Sequence, residues 1–562
     1  MNQETGPTAR SARAGPVCLG GFHRFYCLHP LNRLSVCLTL LALVAGIAYA
    51  ETWEVPNEIP TVQEALDLAQ PGDTVAVWPG GYDLGAQGLT MPRSDVTLLS
   101  VYSAKATLVL DDWESTILVH GSRSRIEGFN IVSFMGWAIT ILEESAEVVI
   151  EDNNLEHHGW GGGVWVRGPG AIVRENELRW FYTNPAVQVD AGGVGIESNQ
   201  FIETVGVNVL APAAAIHDNL FLHCRAMSDD GISGRGAAIE ASSVPGRIEI
   251  ERNLFADCQT IGWQAEPDAV ARGGAIYLES CGDVTILENR FLENRATEGG
   301  ALYAYECGVR IERNLFAANT DSSAYENYPI RGEGGGLFLH NCYGSVAENT
   351  IARNVALVDG GGVAVYGAST PSFSRNIVYA NRSEGAGFTC AGQGMIDFDC
   401  NDAYGHANGN YGGVCQDPTG LDGNISEDPL FCDPSAYDFT LQRDSPCMPD
   451  LSPPGCGLIG AFGIGCPAAG IYEDTSWISG LRIAPNPFQG SASIAFSSTE
   501  PGSRIEIRIY DASGRLLRNR PESAFHWDGR DSDGTRLPAG VYFVRVMRDG
   551  SEVARRPVVL LR

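Results

Sequence analysis

Two aspartates stand together in the middle of the chain, at Asp229 and Asp230, between the arginines Arg225 and Arg235. A pair of carboxylates can hydrolyse a glycosidic bond, one acting as general acid and the other as base or nucleophile. An arginine beside an acidic, Ca²⁺-binding cluster can instead act as the base in an elimination from a uronate. The candidate catalytic residues are therefore Asp229, Asp230 and Arg235, with Ca²⁺ as a candidate cofactor. The alternative is a solvated acidic turn with surface arginines.

Aromatic residues form a second candidate site. Trp160 follows His157 and His158, and Trp180 and Tyr182 come about one repeat later. Flat aromatic faces suit sugar rings, and exposed aromatic patches often mark interaction sites. We expect Trp160, Trp180 and Tyr182 to bind a ligand from one exposed edge, and packing of these loops against the fold is the alternative. The two histidines have no partner at a metal-ligand spacing.

Other polar groups are less suited to chemistry. The single lysine, Lys105, is expected in an early coil away from any acidic cluster, which disfavours a lysine base. No C-x-x-C pair is present, so no zinc site is expected. Asp528, Asp531 and Asp533 resemble a calcium loop in spacing but lack a downstream bidentate Glu, so they are interpreted as a turn.

A sequence repeat centred on Asn carries the candidate catalytic and aromatic residues. An apolar residue, two variable residues, Asn, one variable residue and a second apolar residue recur nine times in one register. Successive asparagines are 23, 23, 20, 34, 36, 25, 35 and 27 residues apart. This pattern is typical of a solenoid in which each repeat is one coil. The repeat asparagines are Asn153, Asn176, Asn199, Asn219, Asn253, Asn289, Asn314, Asn349 and Asn376.

The repeat also predicts how each coil is built. Apolar residues that flank each Asn should point inward, and coils should stack as parallel strands about 4.8 Å apart. We expect Asn at the bend because it tolerates the left-handed backbone conformation, and its amide can bond to the next coil as a structural ladder. Glycine pairs allow close stacking where later strands begin. They stand at 273–274, 299–300, 335–336 and 361–362.

The N-terminus has the pattern of an export signal. Arginines precede the apolar run at residues 34–47, and Ala48-Tyr49-Ala50 is an A-x-A cleavage site. The run is short for a transmembrane anchor, which is the alternative. We therefore predict a signal peptide at residues 1–50 and a secreted or cell-surface protein with no membrane span after signal removal.

Charge and cysteine content agree with export. The net charge of −30 disfavours nucleic acid as a partner and repels anionic polymers. Twelve of the fifteen cysteines lie after the signal, so disulfides are expected. Cys224 and Cys258 each follow a repeat Asn by five residues and should lie within disulfide reach on neighbouring coils. Cys281, Cys307 and Cys342 should form a second stack, in which two could pair.

Segments at both ends of the solenoid resemble pectate-lyase-like right-handed parallel β-helix proteins. At the start these are Ile59 to Ala65, Pro71 to Val75 and Pro79 to Tyr82, and at the end Glu427 to Phe431 and Ser445-Pro446-Cys447. The resemblance implies an all-β fold with a β-helix over residues 51–466, and residues 62–68 are predicted to form a short capping helix. Such folds support many activities.

Polygalacturonases are one class within this fold, and this chain departs from their pattern. They carry paired aspartates, a Gly-His-Gly and an Arg-Ile-Lys. Here Asp229-Asp230 offers the pair, Gly405-His406-Ala407 matches the second motif in part, and no Arg-Ile-Lys exists.

The last segment differs in composition. Trp527 to Asp531 and Leu537 to Phe543 resemble the Ig-like domain of flagellar hook-capping (FlgD-like) proteins and the sorting domains of type IX secretion cargo. The resemblance implies a linker at residues 467–480, then a small Ig-like β-sandwich at 481–562 that meets the secretion machinery.

These features predict an exported or cell-surface β-helix protein that binds extracellular polysaccharide or a cell-surface glycan, with a C-terminal domain for sorting or anchoring. The alternative is a polysaccharide lyase or glycoside hydrolase acting on a uronate-containing glycan.

Overall fold

The computed structural model describes most of the chain after the predicted signal peptide at residues 1–50. Residues 1–49, together with the predicted catalytic residues Asp229 and Asp230, lie outside the described residues. The described residues are 50–101, 104–113, 115–227, 234–261, 270–321, 332–466, 478–484, 488, 490–498, 505–510, 515–520, 524–537, 540–548 and 551–560.

Parallel strands form three walls around one apolar core, and each coil adds a strand to each wall. The first wall is a sheet of 14 strands. These are Thr52–Val55, Thr74–Val77, Thr97–Ser100, Arg125–Glu127, Val149–Glu151, Ile172–Arg174, Val194–Glu197, Ala213–His217, Arg247–Glu251, Asp283–Leu287, Gly308–Glu312, Tyr343–Ala347, Thr370–Ser374 and Asp397–Asp399.

The other two walls share two long strands, Asn130–Ile141 and Asn154–Val166, which bend through the corner between them. The second wall also contains Gly81–Asp83, Thr107–Leu110, Glu177–Arg179, Gln200–Ile202, Leu220–Leu222, Leu254–Ala256, Arg290–Leu292, Leu315–Ala317, Thr350–Ala352, Ile377–Tyr379 and Asp402–Tyr404. The third wall also contains Leu89–Met91, Ile117–Val119, Val187–Val189, Val207–Val209, Ile239–Ser242, Ile276–Glu279, Leu302–Tyr305, Leu337–His340, Val363–Gly367, Phe388–Gly392 and Tyr411–Gly413.

Longer coils add a short parallel sheet at the corner between the second and third walls. Its four strands follow the second-wall strands of the coils that begin at Asn219, Asn253, Asn289 and Asn314. They are Arg225–Met227, Gln259–Ile261, Arg295–Ala296 and Thr320–Asp321. Insertions in the sequence therefore enlarge one corner and leave the walls in register.

The predicted asparagine ladder is present at the corner between the first and second walls. Each buried side-chain amide donates to the Oδ1 of the next asparagine, as from Asn219 to Asn253 at 3.0 Å. The ladder begins at Asn153 and continues past Asn376 to Asn401 and Asn424. The apolar residues beside each Asn point inward as predicted, and the rings of Phe201, Phe221, Phe255, Phe291 and Phe316 stack 4.5 to 4.9 Å apart.

The predicted left-handed backbone at the repeat asparagines is wrong by one residue. The residue before each Asn has the positive φ, for example Asp152 at 51° and Arg252 at 52°. That residue turns the chain, so the following Asn can point inward and bond to its neighbours. Before the nine repeat asparagines, eight of these left-handed residues are charged and one is Ser198, so the position favours polar side chains.

A second asparagine ladder lies at the corner between the second and third walls. Asn294, Asn319, Asn354 and Asn381 are joined by amide hydrogen bonds of 2.9 Å. Cys258 precedes them in the same column, because its backbone N–H donates to Asn294 Oδ1 at 3.0 Å. The sequence contains this column five residues after the first one, with cysteines in its early positions.

Of the twelve cysteines after the predicted signal peptide, six are bridged, five lie in the two predicted stacks, and Cys447 is buried and free. Disulfides join Cys390 to Cys415, Cys400 to Cys456, and Cys432 to Cys466. Cys224 and Cys258 lie on neighbouring coils as predicted, and Cys281, Cys307 and Cys342 form the second stack, but these five are free thiols. In-register parallel strands place Cβ atoms about 4.8 Å apart, whereas a disulfide needs about 3.5–4.5 Å.

Short elements close and cover the solenoid. The helix Val62–Leu68 lies where it was predicted, is capped by Thr61, and buries Val62, Ala65 and Leu66 in the core. The 3₁₀ turns are Gly85–Gln87 and Pro434–Ala436, and a three-stranded sheet of Phe431–Asp433, Asp438–Gln442 and Ile464–Cys466 follows the last coil. No helix in the described ranges is long and apolar enough to cross a membrane.

The C-terminal segment forms two antiparallel sheets with a separate core around the buried Trp527. One sheet contains Ile478–Ala484, Ala492–Ser498 and Ala524–Trp527. The other contains Leu516–Arg520, Ile505–Tyr510, Gly540–Arg548 and Ser551–Leu560. Asp531 accepts the backbone N–H groups of Asp533 and Thr535, so this aspartate stabilises a turn, as interpreted from the sequence.

Candidate functional site

Aromatic side chains line the corner between the second and third walls in the short coils. We define the aromatic edge as Phe134, His158, Trp160, Trp180 and Tyr182, which lie on three consecutive coils. Trp160 is 67% exposed and Tyr182 is 49% exposed. The His158 ring lies 5.7 Å from Phe134 and 5.3 Å from Trp180, between ring centroids. Of the three predicted ligand-binding residues, Trp180 therefore contacts His158, and Trp160 and Tyr182 are exposed two residues after His158 and Trp180, respectively, on the same coils.

Alternation along the strand separates the two adjacent histidines. His158 points outward, whereas His157 is buried, stacks on Phe181 at 5.4 Å, and shares a hydrogen bond with the Ser133 hydroxyl at 2.8 Å. Burial lowers the pKa of His157 to about 4, so it is neutral at physiological pH. His157 therefore belongs to the core, and His158 alone of the two contributes to the edge.

In the long coils, a column of charged side chains lies just before the strands of the third wall. We define the charged column as Arg235, Arg272, Glu298, Glu333 and Asp359, whose backbones are bridged in register from coil to coil. A glycine with positive φ follows each of them, at positions 236, 273, 299, 334 and 360. A Cβ at the neighbouring Gly300 would lie 2.3 Å from the Gly335 carbonyl oxygen, so the predicted close approach of the glycine pairs is confirmed.

Aromatic rings lie beside the charged column on the outer face of the third wall. Tyr277, Tyr303 and Phe338 stack with centroids 5.5 and 5.0 Å apart and are buried. The Arg235 guanidinium lies 5.0 Å from the Tyr277 ring centroid, and Arg272 lies 5.3 Å from Tyr303. The arginines therefore cover rings that would otherwise face solvent.

The two halves of the column differ in how their charges are balanced. Arg235 lies 3.3 Å from Glu279, and Arg272 lies 2.8 Å from Glu298. Farther along, the Tyr366 hydroxyl bonds to Glu333. Asp359 accepts bonds from the Thr389 hydroxyl and the Ala386 N–H. The arginine half is thus ion-paired, and the other half is rich in carboxylates.

Asp321 lies behind the acidic half. It is fully buried, and neither of its carboxyl oxygens has a hydrogen-bond partner among the residues that the structure describes. Its Oδ1 is 3.0 Å from where a Cβ on Gly332 would lie, beside the backbone of Glu333. Burial first, and then the charges of Glu298 and Glu333, raise the pKa of Asp321 well above its usual value.

The other candidate catalytic residues from the sequence lie at different places in the structure. Arg235 and Arg272 lie in the charged column, whereas Arg225 bonds to Asp257 together with His223. Lys105 bonds to Asp152 and Asn154, and Glu175 and Glu177 line the same pocket, so the prediction that this lysine lies away from any acidic cluster is wrong. Both ring nitrogens of His406 in the partial Gly-His-Ala motif are buried and have no hydrogen-bond partner in the described part of the chain. The described part of the chain holds no group of three His, Cys, Asp or Glu suited to a metal ion.

Glu298, Glu333, Asp359 and Asp321 were missed in the sequence. A signal for the first three exists, because each charged residue stands directly before a glycine and five residues before an outward-facing position of the third wall. Asp321 has no such signal, because its burial depends on contacts with other coils.

Two family models match the chain. The right handed beta helix region matches residues 115–266 and 246–403, together more than half of the chain, and the FlgD Ig-like domain matches residues 483–551. The chain therefore belongs to the right-handed β-helix proteins and carries a FlgD-like Ig domain at its C-terminus. No curated protein sequence matches it.

Solved structures give more distant likenesses. Pectate lyase Pel9A is 12% identical over 75% of this chain and 98% of its own, with a TM-score of 0.31. The A-module of mannuronan C-5 epimerase AlgE4 from Azotobacter vinelandii is 13% identical over 63% and 95%, with a TM-score of 0.26. PorZ, a surface component of the type-IX secretion system of Porphyromonas gingivalis, is 26% identical, but the match spans only 15% of this chain and 12% of PorZ, with a TM-score of 0.12.

Proposed function

We propose that this is an exported or cell-surface protein that binds extracellular polysaccharide through the aromatic edge, with the C-terminal domain serving for sorting or anchoring. The observation that carries the proposal is the alignment of Trp160, Trp180 and Tyr182 with His158 and Phe134 on successive coils. Exposed aromatic rings that are held in place offer apolar area at little entropic cost. The three disulfides are consistent with an extracellular location.

Polar contacts orient the rings of the edge. The Trp180 indole N–H donates to Glu203 at 3.3 Å, and His158 lies 3.8 Å from Glu156. A glycan that runs parallel to the solenoid axis would meet a ring on each of three coils. The edge is therefore suited to a chain of sugars.

Removal of the two tryptophans tests the proposal. The full-length exported protein and its Trp160→Ala/Trp180→Ala variant are compared for binding to neutral, acidic and amino-bearing polysaccharides. We expect the loss of two stacking rings to weaken binding by about 2 kcal/mol, or about 30-fold in Kd.

Tyr343→Ala is the matched control, because Tyr343 is 55% exposed on the first wall, away from the edge. It should bind as the unmodified protein does. Equal binding by the double variant, or no polysaccharide bound by the unmodified protein, would contradict the proposal.

A second candidate function is cleavage of a uronate-containing glycan by a lyase or hydrolase that uses Asp229, Asp230 and Arg235. Arg235 favours it, since its guanidinium lies on the outer face of the third wall between Glu279 and the Tyr277 ring. Incubation with polyuronates, with and without Ca²⁺, would yield unsaturated products or new reducing ends. Loss of either product in Asp230→Ala and Arg235→Ala would assign the activity to these residues, and the absence of turnover would exclude it.

Sorting by the C-terminal domain is a separate part of the proposal. A chain that ends at residue 466 keeps the β-helix and its three disulfides. We expect the native host to retain this chain inside the cell or release it, instead of displaying it. Unchanged localisation would argue against a sorting role.

A further inference from the structure

We propose that the C-terminal domain docks on the outer face of the second wall and covers an apolar strip of the β-helix there. We define the covered strip as Gln200, Leu220, Leu254 and Arg290, which are paired in register on four neighbouring coils. This role adds to the proposed sorting or anchoring. It does not depend on glycan binding, because none of these residues belongs to the aromatic edge.

The covered strip points away from the core of the solenoid and is nonetheless shielded from solvent. Phe221 points inward and stacks with the rings of the coils on either side, so the preceding Leu220 points outward. The same alternation places Leu254 outward beside the inward-facing Phe255. Leu220 is only 3% exposed and Leu254 only 8%, and both belong to a small cluster separate from the solenoid core. Another part of the chain therefore covers them.

The C-terminal domain reaches the wall at both ends of the covered strip. At one end, the Phe543 ring centroid lies 5.5 Å from the Arg290 guanidinium. At the other end, Arg536 and Leu537 line a pocket together with Gln200. The two leucines stand between Gln200 and Arg290 in the register, so a domain that contacts both ends spans them.

Phe543 is oriented for contact with the wall. Its neighbours along the strand, Tyr542 and Val544, are buried in the core of the domain, whereas Phe543 is not part of that core. Side chains alternate along a strand, so Phe543 faces away from the core and toward Arg290. Phe462 also lies 5.4 Å from this guanidinium, and cation–π contacts are strongest where the cation is desolvated. Burial lowers the pKa of Arg290, which is the direction expected for a desolvated cation.

The two ends of the contact differ in chemistry. The Arg290 end is aromatic and adjoins the buried leucines. The pocket end is polar, and charged and amide side chains of earlier coils also line it: Lys105, Asp152, Asn154, Glu175 and Glu177. An apolar centre with a polar rim is the usual anatomy of a protein interface.

The later coils have a different cover. Leu315 and Ile377 face outward in the same column of the second wall. They pack in one cluster with Phe431 and Phe439 of the three-stranded sheet that follows the last coil. Over the middle coils, the C-terminal domain therefore continues the cover that this sheet provides over the late ones.

Labelling of a single introduced thiol tests the docking. Leu254→Cys places the thiol in the covered strip, and Leu210→Cys is the matched control, because Leu210 is 52% exposed. The free cysteines that the structure describes are buried, so the introduced thiol should be labelled selectively. In the full-length protein, we expect a maleimide to label Leu254→Cys at least about 100-fold more slowly than Leu210→Cys, because a covered thiol reacts only when the domain opens.

Two further substitutions assign the protection to the domain. Phe543→Asp removes the ring and places a charge at the contact, whereas Arg290→Ala changes the same contact from the wall. Each of them, combined with Leu254→Cys, should raise the labelling rate about 10-fold or more. An increase in both variants does not come from unfolding of the domain, because Arg290 lies in the β-helix.

Two results would overturn the docking. The first is equal labelling of Leu254→Cys and Leu210→Cys, because the strip would then be open to solvent. The second is slow labelling of Leu254→Cys that both Phe543→Asp and Arg290→Ala leave unchanged, since a different part of the chain would then be the cover. Neither measurement involves a glycan, so failure of the aromatic-edge proposal would leave both unaffected.

Discussion

The short coils, from Asn153 to Asn219, and the long coils, from Asn219 to Asn376, share one scaffold and differ at one corner. Both have three walls and a continuous asparagine ladder. In the short coils the corner between the second and third walls exposes aromatic rings. In the long coils that corner holds an added sheet, and the charged column and buried tyrosines follow it. Insertion at a single corner therefore changes the surface chemistry while the ladder holds the coils in register.

The largest expected effect comes from breaking the shared ladder where the two regions meet. Asn253 Oδ1 accepts the backbone N–H and side-chain amide of Asn219, and Asn253 donates to the Ile216 carbonyl. Asn253→Ala leaves these buried groups unpaired, at about 1–3 kcal/mol each, so the free energy of unfolding should fall by about 5 kcal/mol. Chemical denaturation measures it.

Asn154→Ala is the comparison variant, because Asn154 is only half-buried and bonds to Asn130 on the second wall. It should cost less than about 1 kcal/mol. A similar loss in both variants would mean that the ladder contributes no more than a surface amide.

The next effect distinguishes the two regions by pH. His157 in the short coils has its pKa lowered by burial from 6.5 to about 4. Between pH 6.5 and 4, the imidazole is therefore protonated in the unfolded chain but not in the folded chain. The free energy of unfolding should fall by about 3 kcal/mol as the pH drops through this range. His157→Phe keeps a ring against Phe181 and should remove this dependence of the free energy of unfolding on pH. The same dependence in the variant would disprove the role of His157.

Asp321 in the long coils should act in the opposite direction. Its pKa is raised, so the folded chain keeps a proton that the unfolded chain releases once pH exceeds the ordinary Asp value. Stability should therefore decrease as pH rises through the acid range, and Asp321→Asn should reduce that decrease. Denaturation midpoints of His157→Phe and Asp321→Asn, measured across pH beside the unmodified protein, give both pH dependences.

The smallest expected effect concerns the free thiols of the long coils. Cys307 contacts its stacked neighbours without a covalent bond, so Cys307→Ala should cost about 1 kcal/mol. Cys400→Ala, which removes the bridge to Cys456, should cost about 2–4 kcal/mol.

Alkylation tests the same assignment directly. Without reductant, the ladder cysteines should be labelled in denaturant but not in the native protein, because they are buried. A disulfide between Cys224 and Cys258 would contradict it.

The repeat was predictable because it is local. An inward apolar residue, an Asn and a second apolar residue recur within six positions, and the same pattern located the core and the first ladder. The left-handed conformation was predicted one residue too late. The residue that adopts it can carry different side chains, such as Asp152 and Arg252, so no residue type marks the position in the sequence. The second ladder was missed because cysteines occupy its early positions.

The solenoid, its capping helix at Val62–Leu68 and the class of the C-terminal domain could therefore be predicted from the sequence, since each depends on a short pattern or a close resemblance. Which side chains meet depends instead on how the coils stack. Coils 25 to 36 residues apart in sequence are one strand spacing apart in space, and this separation brings Arg272, Glu298 and Glu333 into one column. The burial of the Asp321 carboxyl depends on the same stacking, because neighbouring coils, and not adjacent residues, cover this side chain.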